Sequence, residues 1–327
     1  MHAIRLHAFG PPENLRYEEV DDPSPGAGQV RIRVRVAGIH LVDTAIRSGR
    51  DMGAFPRPDL PAIPGREVAG VVDAVGTSVD EEWMGRRVVA HMGFASGGYA
   101  ELAVRDVAAV HVVPDAMADD VAVAMIGTGR TALAILDTAQ LQPDDVVLVT
   151  AAAGGLGTLF VQAAANIGAT VVGVAGGPVK VDVVRELGAS VVVDYTEPGW
   201  PDIVRAQLAG REITAALDGV GGDIGRHALD LLGIGGRLHM FGYASGRHTP
   251  LSAAELFAKG LTVRAGPAPG LLHRPGGLRA FEERALAAAA QGTLRPVIGR
   301  PFPLAEAAQA HLAIEGRALV GKAVLQV

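Results

Sequence analysis

The chain has 327 residues, 49% of them hydrophobic and 20% charged, with a net charge of -6. That length and apolar content suit two domains with sizeable cores, and the acidic balance speaks against nonspecific nucleic-acid binding. There is no cysteine, so disulfides and thiolate metal sites are excluded and a reducing cytoplasm is the expected setting.

In chain order, Met1 to Val20 reads as a polar strand region rather than a secretory leader. Gln29 to Val36 alternates polar and apolar residues, the pattern of a half-buried strand, and Val68–Val75 and Arg87–Ala90 continue it. Turns fall at Gly76, Gly85 and Gly97-Gly98; the proline-rich pieces Asp22–Pro25 and Phe55–Pro58 read as loops. Residues 1–118 are therefore expected to form a compact β-rich domain. The Gly127–Ile135 and Ala285–Ala290 stretches look like short helix pieces, and the apolar runs are too interrupted to cross a bilayer.

From residue 119 to 267 the pattern changes. Val146–Val149 is an apolar run that empties into Ala151-Ala152-Ala153-Gly154-Gly155-Leu156-Gly157, followed by a helix-like segment, Leu159–Ile167. A helix start with bare backbone N–H groups and a positive dipole end is suited to a pyrophosphate, provided no side chain blocks the approach. Gly154 and Gly155 supply the tight turn, and Gly157 lets the helix pack close. Further strands, Thr170–Gly176, Ser190–Tyr195, Ala215–Val220, Gly236–Gly242 and Leu261–Arg264, alternate with helical segments. Apolar runs so spaced predict a parallel, doubly wound sheet that holds a dinucleotide.

An acidic residue at the end of the second strand would accept from the adenosine ribose of NAD. The residues there are Ala175-Gly176-Gly177, and Lys180 follows. NADP is thereby favoured, with Lys180 beside the 2′-phosphate or, as the plainer reading, solvated at a helix start. Pro267–Gly270 marks the exit. Residues 268–327, with a helix over Leu278–Gln291 and a last strand over Gly321–Val327, complete the first domain.

Several segments in order resemble the zinc-independent quinone oxidoreductase (zeta-crystallin-like) branch of the medium-chain dehydrogenase/reductase superfamily. They are Gly38–Gly49, Leu60–Val72, Gly97–Glu101, Ala151–Gly157, Asp218–Gly222 and Gly236–Gly242. The resemblance implies an α/β chain with a GroES-like catalytic domain and a Rossmann domain, NADPH as cofactor, and a homodimer. It carries Ala153, Gly154, Gly155, Leu156 and Gly157 to the pyrophosphate. Gly176, Lys180 and Tyr195 go to the adenosine 2′-phosphate side, and Val220, Phe241, Gly242 and Tyr243 to loops near the nicotinamide. Lys322, in a Gly-Lys pair of the family, is expected to face the cofactor cleft, with surface solvation as the equal alternative.

In the zinc-dependent branch the catalytic metal would fall on His40, Arg66 and Thr128; only His40 suits zinc, so no metal is expected. Without a Lewis acid the acceptor has to be electrophilic already, a quinone or a conjugated carbonyl. His40, Asp43, Arg47 and Thr131 are the polar candidates for catalysis. His40 stands where the family usually has Asn and is suited to donate to a substrate oxygen, or else to order a loop. Asp43 and Arg47 have the plainer reading of an i,i+4 ion pair. Ala45 replaces a Tyr common in the branch, which removes aromatic stacking at that position, and Tyr99 is expected to pack in the β domain. His227 and His311 read as surface or packing residues. The alternatives are an enoyl or enone reductase acting on acyl thioesters or conjugated ketones, and a non-catalytic NADPH-binding regulator.

Overall fold

Strand β3 (Gln29–Ile39) is the spine of the first half of the chain. In the computed structural model, which describes residues 1–50, 57–93, 96–266 and 276–327, its Val30, Ile32, Val34 and Val36 face inward while Arg33 and Arg35 face solvent. Before it, β1 (His2–Leu6) and β2 (Leu15–Glu19) form an antiparallel pair. After it come α1 (Leu41–Arg47), β4 (Glu67–Val75), β5 (Arg87–His91), β6 (Leu102–Asp106) and β7 (Val110–Val112). The helical run that follows comprises α2 (Asp119–Ala124), a π turn over Met125–Gly129, and α3 (Arg130–Ala139).

The second half alternates strand and helix: β8 (Val146–Val149), α4 (Gly155–Asn166), β9 (Thr170–Ala175), α5 (Pro178–Glu186), β10 (Val191–Asp194), α6 (Trp200–Leu208), β11 (Ile213–Asp218), α7 (Gly222–Asp230), β12 (Leu232–Met240), α8 (Ala253–Lys259) and β13 (Thr262–Ala265). The chain ends with α9 (Gly277–Ala290), β14 (Phe302–Pro303), α10 (Ala307–Glu315) and β15 (Ala323–Gln326).

Two compact units result. Unit 1 comprises residues 1–128, 285–291 and 296–327, and unit 2 residues 129–284 and 292–295. The divisions fall at Thr128 and Arg284, where the sequence pattern suggested 118 and 267. In unit 1 the strand order is β14-β15-β3-β4-β5-β7, with β6 also on β3. Its core gathers Ile4, Ile32, Val68, Val88, Tyr99 and Phe302. In unit 2 the six described strands are all parallel, in the order β10-β9-β8-β11-β12-β13. Leu148, Val172, Val204, Ile213 and Leu238 fill one core cluster there. A sheet that reverses direction of growth between β8 and β11 opens a crevice at the carboxyl ends of those strands.

Register places one end of the unit 1 sheet with care. Gly38 of β3 pairs with Glu67 of β4 and with Val324 of β15, and Glu67 pairs in turn with His91 of β5. His40, Glu67 and Lys322 are thus brought to the same end.

The expectation of interrupted apolar runs is corrected over Asp119–Ala139. Those 21 residues form one helical run with an 18-residue window of mean hydropathy 1.3, long and apolar enough to cross a membrane, and 67% of that window is buried inside the protein. Gly127 and Gly129 are absorbed by the π turn, a device common at functional sites. Phe55-Pro56 and the Pro267–Gly270 exit lie outside the described residues.

Candidate active site and dinucleotide cradle

In unit 2, β8 ends on the buried Thr150, and the chain turns through Ala151 in the left-handed region (φ 47°). Gly154 caps α4 with extended backbone and no side-chain hydrogen bond. The first-turn N–H groups of Gly155, Leu156 and Gly157 therefore have no intrahelical acceptor, as at any helix start, and the Gly154 cap contributes no side chain. Gly157 serves packing: a Cβ there would stand 2.3 Å from the Ala151 carbonyl oxygen and 2.8 Å from Ala152 Cα. Ala153 is 2% exposed beneath the turn. A glycine-lined helix start with a positive dipole end could hold a pyrophosphate.

Beside it, Gly176 follows the end of β9, and its missing side chain makes room for the Tyr195 ring; a Cβ would lie 3.1 Å from Cε2. Gly177 (φ 90°) donates its N–H to Asp194 Oδ2 at 3.0 Å. Lys180 lies half-buried in the first turn of α5. Asp194 also accepts from Thr196 N and Oγ1 at 2.9 and 2.6 Å. Partial burial pushes its carboxyl up, but these hydrogen bonds outweigh that and hold it below the usual range. The strand-by-strand reading found no acid at the end of β9; the neighbouring strand supplies one, with both oxygens engaged by N–H and O–H donors.

Asp218, at the end of β11, is fully buried and joins the loops of the crevice. Its carboxylate accepts from Thr150 Oγ1 at 2.7 Å, Thr249 Oγ1 at 2.8 Å, Val220 N at 3.0 Å and Gly221 N at 3.2 Å. Gly225 leaves space for it, since a Cβ there would meet Thr249 Oγ1 at 2.1 Å and Asp218 Oδ2 at 2.4 Å. Phe241 donates its N–H to the Asp218 carbonyl and sets its ring edge-on against Phe160, with centroids 5.0 Å apart. A Cβ at Gly242 would come within 2.9 Å of the Gly219 carbonyl oxygen, and Tyr243 stacks at a tilt on His248. Val220 is buried in the same turn, and Thr131 lies half-buried on α3.

In unit 1, Glu67 is fully buried, with Oε1 2.7 Å from His40 Nε2 and Oε2 2.7 Å from Lys322 Nζ. Lys322 Nζ also lies 3.2 Å from His40 Nε2. Burial pushes the Glu67 carboxyl up, but the charges of His40 and Lys322 and the hydrogen bond from His40 outweigh it and hold the group far below the usual range. The His40 backbone N–H donates to Asp43 Oδ2 at 2.8 Å, which caps α1. Asp43 is buried too, and here burial prevails over the nearby cations and raises its pKa. Tyr99 packs at zero exposure, its hydroxyl 3.4 Å from Asp43 Oδ2 and 3.2 Å from His311 Nε2.

Two readings are corrected here. Arg47 does not pair with Asp43: it is 2% exposed and bonds to the Gly10 carbonyl and Glu315 instead. Asp43 is turned back onto its own helix start, out of line for an i,i+4 contact. Lys322 is not a solvated surface charge: at 4% exposure its ammonium is committed to Glu67 and His40.

Residues 26–115 match the family model for the alcohol dehydrogenase GroES-like domain, and residues 155–267 that for zinc-binding dehydrogenase. A quinone oxidoreductase of Pseudomonas aeruginosa is 33% identical over 324 residues, covering 98% of each chain. A 2-haloacrylate reductase of a Burkholderia species is 33% identical over 334 residues, covering 99% of this chain and 98% of its own. The solved structure of Escherichia coli quinone oxidoreductase complexed with NADPH superposes with a TM-score of 0.88 at 29% identity, covering both chains fully. The chain belongs to the zinc-independent quinone oxidoreductase branch of the medium-chain dehydrogenase/reductase superfamily. As a member of that branch it combines a GroES-like domain with a Rossmann domain.

The donor set of this quinone oxidoreductase-like chain does not fit a catalytic zinc. Arg66 and Thr128 offer no ligand atom of the right kind, and the Lys322 ammonium already sits 3.2 Å from the one imidazole, where a second cation would be repelled. Sequence reasoning passed over Glu67, Asp194 and Asp218 as site residues. Glu67 carried a signal: it is an acid placed at the head of the apolar run Val68–Val72.

Proposed function

We propose that the protein is an NADPH-dependent, metal-free reductase acting on a quinone or on an alkene conjugated to a carbonyl. The observation that carries this reading is the open α4 start after Ala151, in a chain whose full-length relatives include quinone oxidoreductases. NADPH, when bound, supplies a hydride. The N–H groups of Gly155, Leu156 and Gly157 meet the pyrophosphate, and Lys180 with Tyr195 receives the 2′-phosphate. Asp194, its oxygens already hydrogen-bonded, holds the Gly177 turn that sets the start of α5. His40 donates to the oxygen of the acceptor, where negative charge develops. Asp43 and Arg47, both buried and engaged, hold α1 so that His40 is presented at its start. Thr131 is the remaining polar contact on the cofactor side.

The relative named for 2-haloacrylate supports an alkene acceptor as the second reading. We also propose a homodimer: β13 is an edge of the unit 2 sheet among the described strands, and Phe257 of the adjacent α8 is 88% exposed.

Steady-state NADPH oxidation with a benzoquinone, an enone, a 2-haloacrylate and an enoyl thioester tests the reading. Turnover on at least one acceptor is expected, with NADPH preferred over NADH and Lys180→Ala erasing about tenfold of that preference, the equivalent of about 1.4 kcal/mol. Tight NADPH binding without oxidation on any acceptor would assign the chain to the non-catalytic binders.

A further inference from the structure

Three side chains meet at the end of the unit 1 sheet, and their exposures are graded. Glu67 is at 0%, Lys322 at 4% and His40 at 22% side-chain exposure, so the imidazole is the member that reaches outward. An ion pair that only stabilised the fold would need Glu67 and Lys322 alone. Here His40 Nε2 is shared, 2.7 Å from the carboxylate and 3.2 Å from the ammonium. The backbone is shaped around this arrangement from both sides. A Cβ at Gly127, in the π turn, would stand 1.7 Å from Glu67 Oε1, and one at Gly38 would stand 2.1 Å from Oε2. Either would expel the carboxylate.

We infer that Glu67 and Lys322 are positioning residues that make His40 the metal-free acid of this site, Glu67 favouring the charged ring and Lys322 opposing it. As the acceptor takes up hydride, an N–H bond of the His40 ring breaks and an O–H bond forms on the acceptor oxygen; the neutral ring then regains a proton from water. The two neighbours act in opposition because opposite charges at such distances stabilise a protonated ring and like charges destabilise it. The other ionisable groups around the cluster are Asp43 from α1, Arg66 beside β4, His91 from β5, and Tyr99 against Asp43.

This inference rests on the reductase reading, but its first test does not need turnover. The His40 ring is titrated by NMR in cofactor-free protein, with His40→Asn identifying its signal. Glu67→Gln is expected to lower the midpoint and Lys322→Met to raise it, with Lys322→Arg close to the parent. The alkaline limb of kcat/KM on the best acceptor moves in the same two directions, while NADPH affinity stays within about twofold. Midpoints that do not move, or that move the same way in both variants, overturn the inference, as does a Lys322→Met variant whose only change is weaker NADPH binding. Retained melting behaviour of Lys322→Arg guards against a simple folding defect. Loss of turnover on every acceptor in the parent protein sinks the reductase reading instead.

Discussion

At the scale of single residues, one glycine beside the buried carboxylate is defined by what it faces. Gly127 has no positive φ to justify it; its need is steric, since a methyl group would overlap Glu67 Oε1. Gly127→Ala is expected to displace the carboxylate, leave the Lys322 ammonium unpaired in the interior, and destabilise unit 1 by about 3 kcal/mol or more in urea unfolding. Unchanged stability would show that Glu67 has another place to go. His40 was legible as a candidate through the family resemblance of Gly38–Gly49, where it stands in place of the usual Asn. Glu67 was not, because its partners lie 27 and 255 positions away in the chain, and the register that unites them exists only once β3, β4 and β15 have paired.

At the scale of elements, the two units differed in how openly they were written. The parallel strands of unit 2 are continuous apolar runs, and β8, β9 and β10 fall where those runs are. In unit 1, β1 and β2 fall inside the stretch Met1–Val20 that reads as a polar strand region, whereas β6 and β7 are too short to stand out and α1 is too brief for a 3.6-residue period to show. The link among the crevice loops was also invisible, because Asp218 reads as an ordinary turn residue while its partners come from β8 and from the segment after β12. Asp218→Asn replaces an oxygen that accepts N–H and O–H groups with an amide that must donate. It is expected to cost about 2 kcal/mol of stability in unit 2 and to weaken NADPH binding about tenfold, with kcat at saturation less affected. Calorimetric NADPH titration checks this; parent-like affinity in a destabilised variant would leave Asp218 a purely structural acid.

At the scale of the molecule, buried ionisable groups tie folding to pH. His311 is fully buried on α10 against the Tyr99 hydroxyl, and burial, aided by the charge of Arg47, pushes its pKa down to about 3 from 6.5. A histidine depressed in this way stays neutral when folded but takes up a proton when unfolded. Its contribution is therefore complete above about pH 6.5 and is lost as pH falls toward 3, at about 1.4 kcal/mol per pH unit. Glu67, lowered from 4.5, adds loss in the same direction only below that value. Asp43 works against both, because burial raises its pKa and acid then favours the folded form. Between pH 6.5 and 4.5 the slope of unit 1 accordingly belongs to His311, moderated by Asp43; His239, lowered by burial, acts in the same direction in unit 2. There are two tryptophans, Trp83 in unit 1 and Trp200 in unit 2, so a Trp200→Phe background lets Trp83 fluorescence follow unit 1 alone. Urea midpoints in that background are expected to fall by the equivalent of about 2 kcal/mol across the window, and His311→Gln, which keeps a polar partner for Tyr99 but cannot titrate, should flatten the slope. A slope that persists in His311→Gln would move the acid sensitivity of unit 1 to another group.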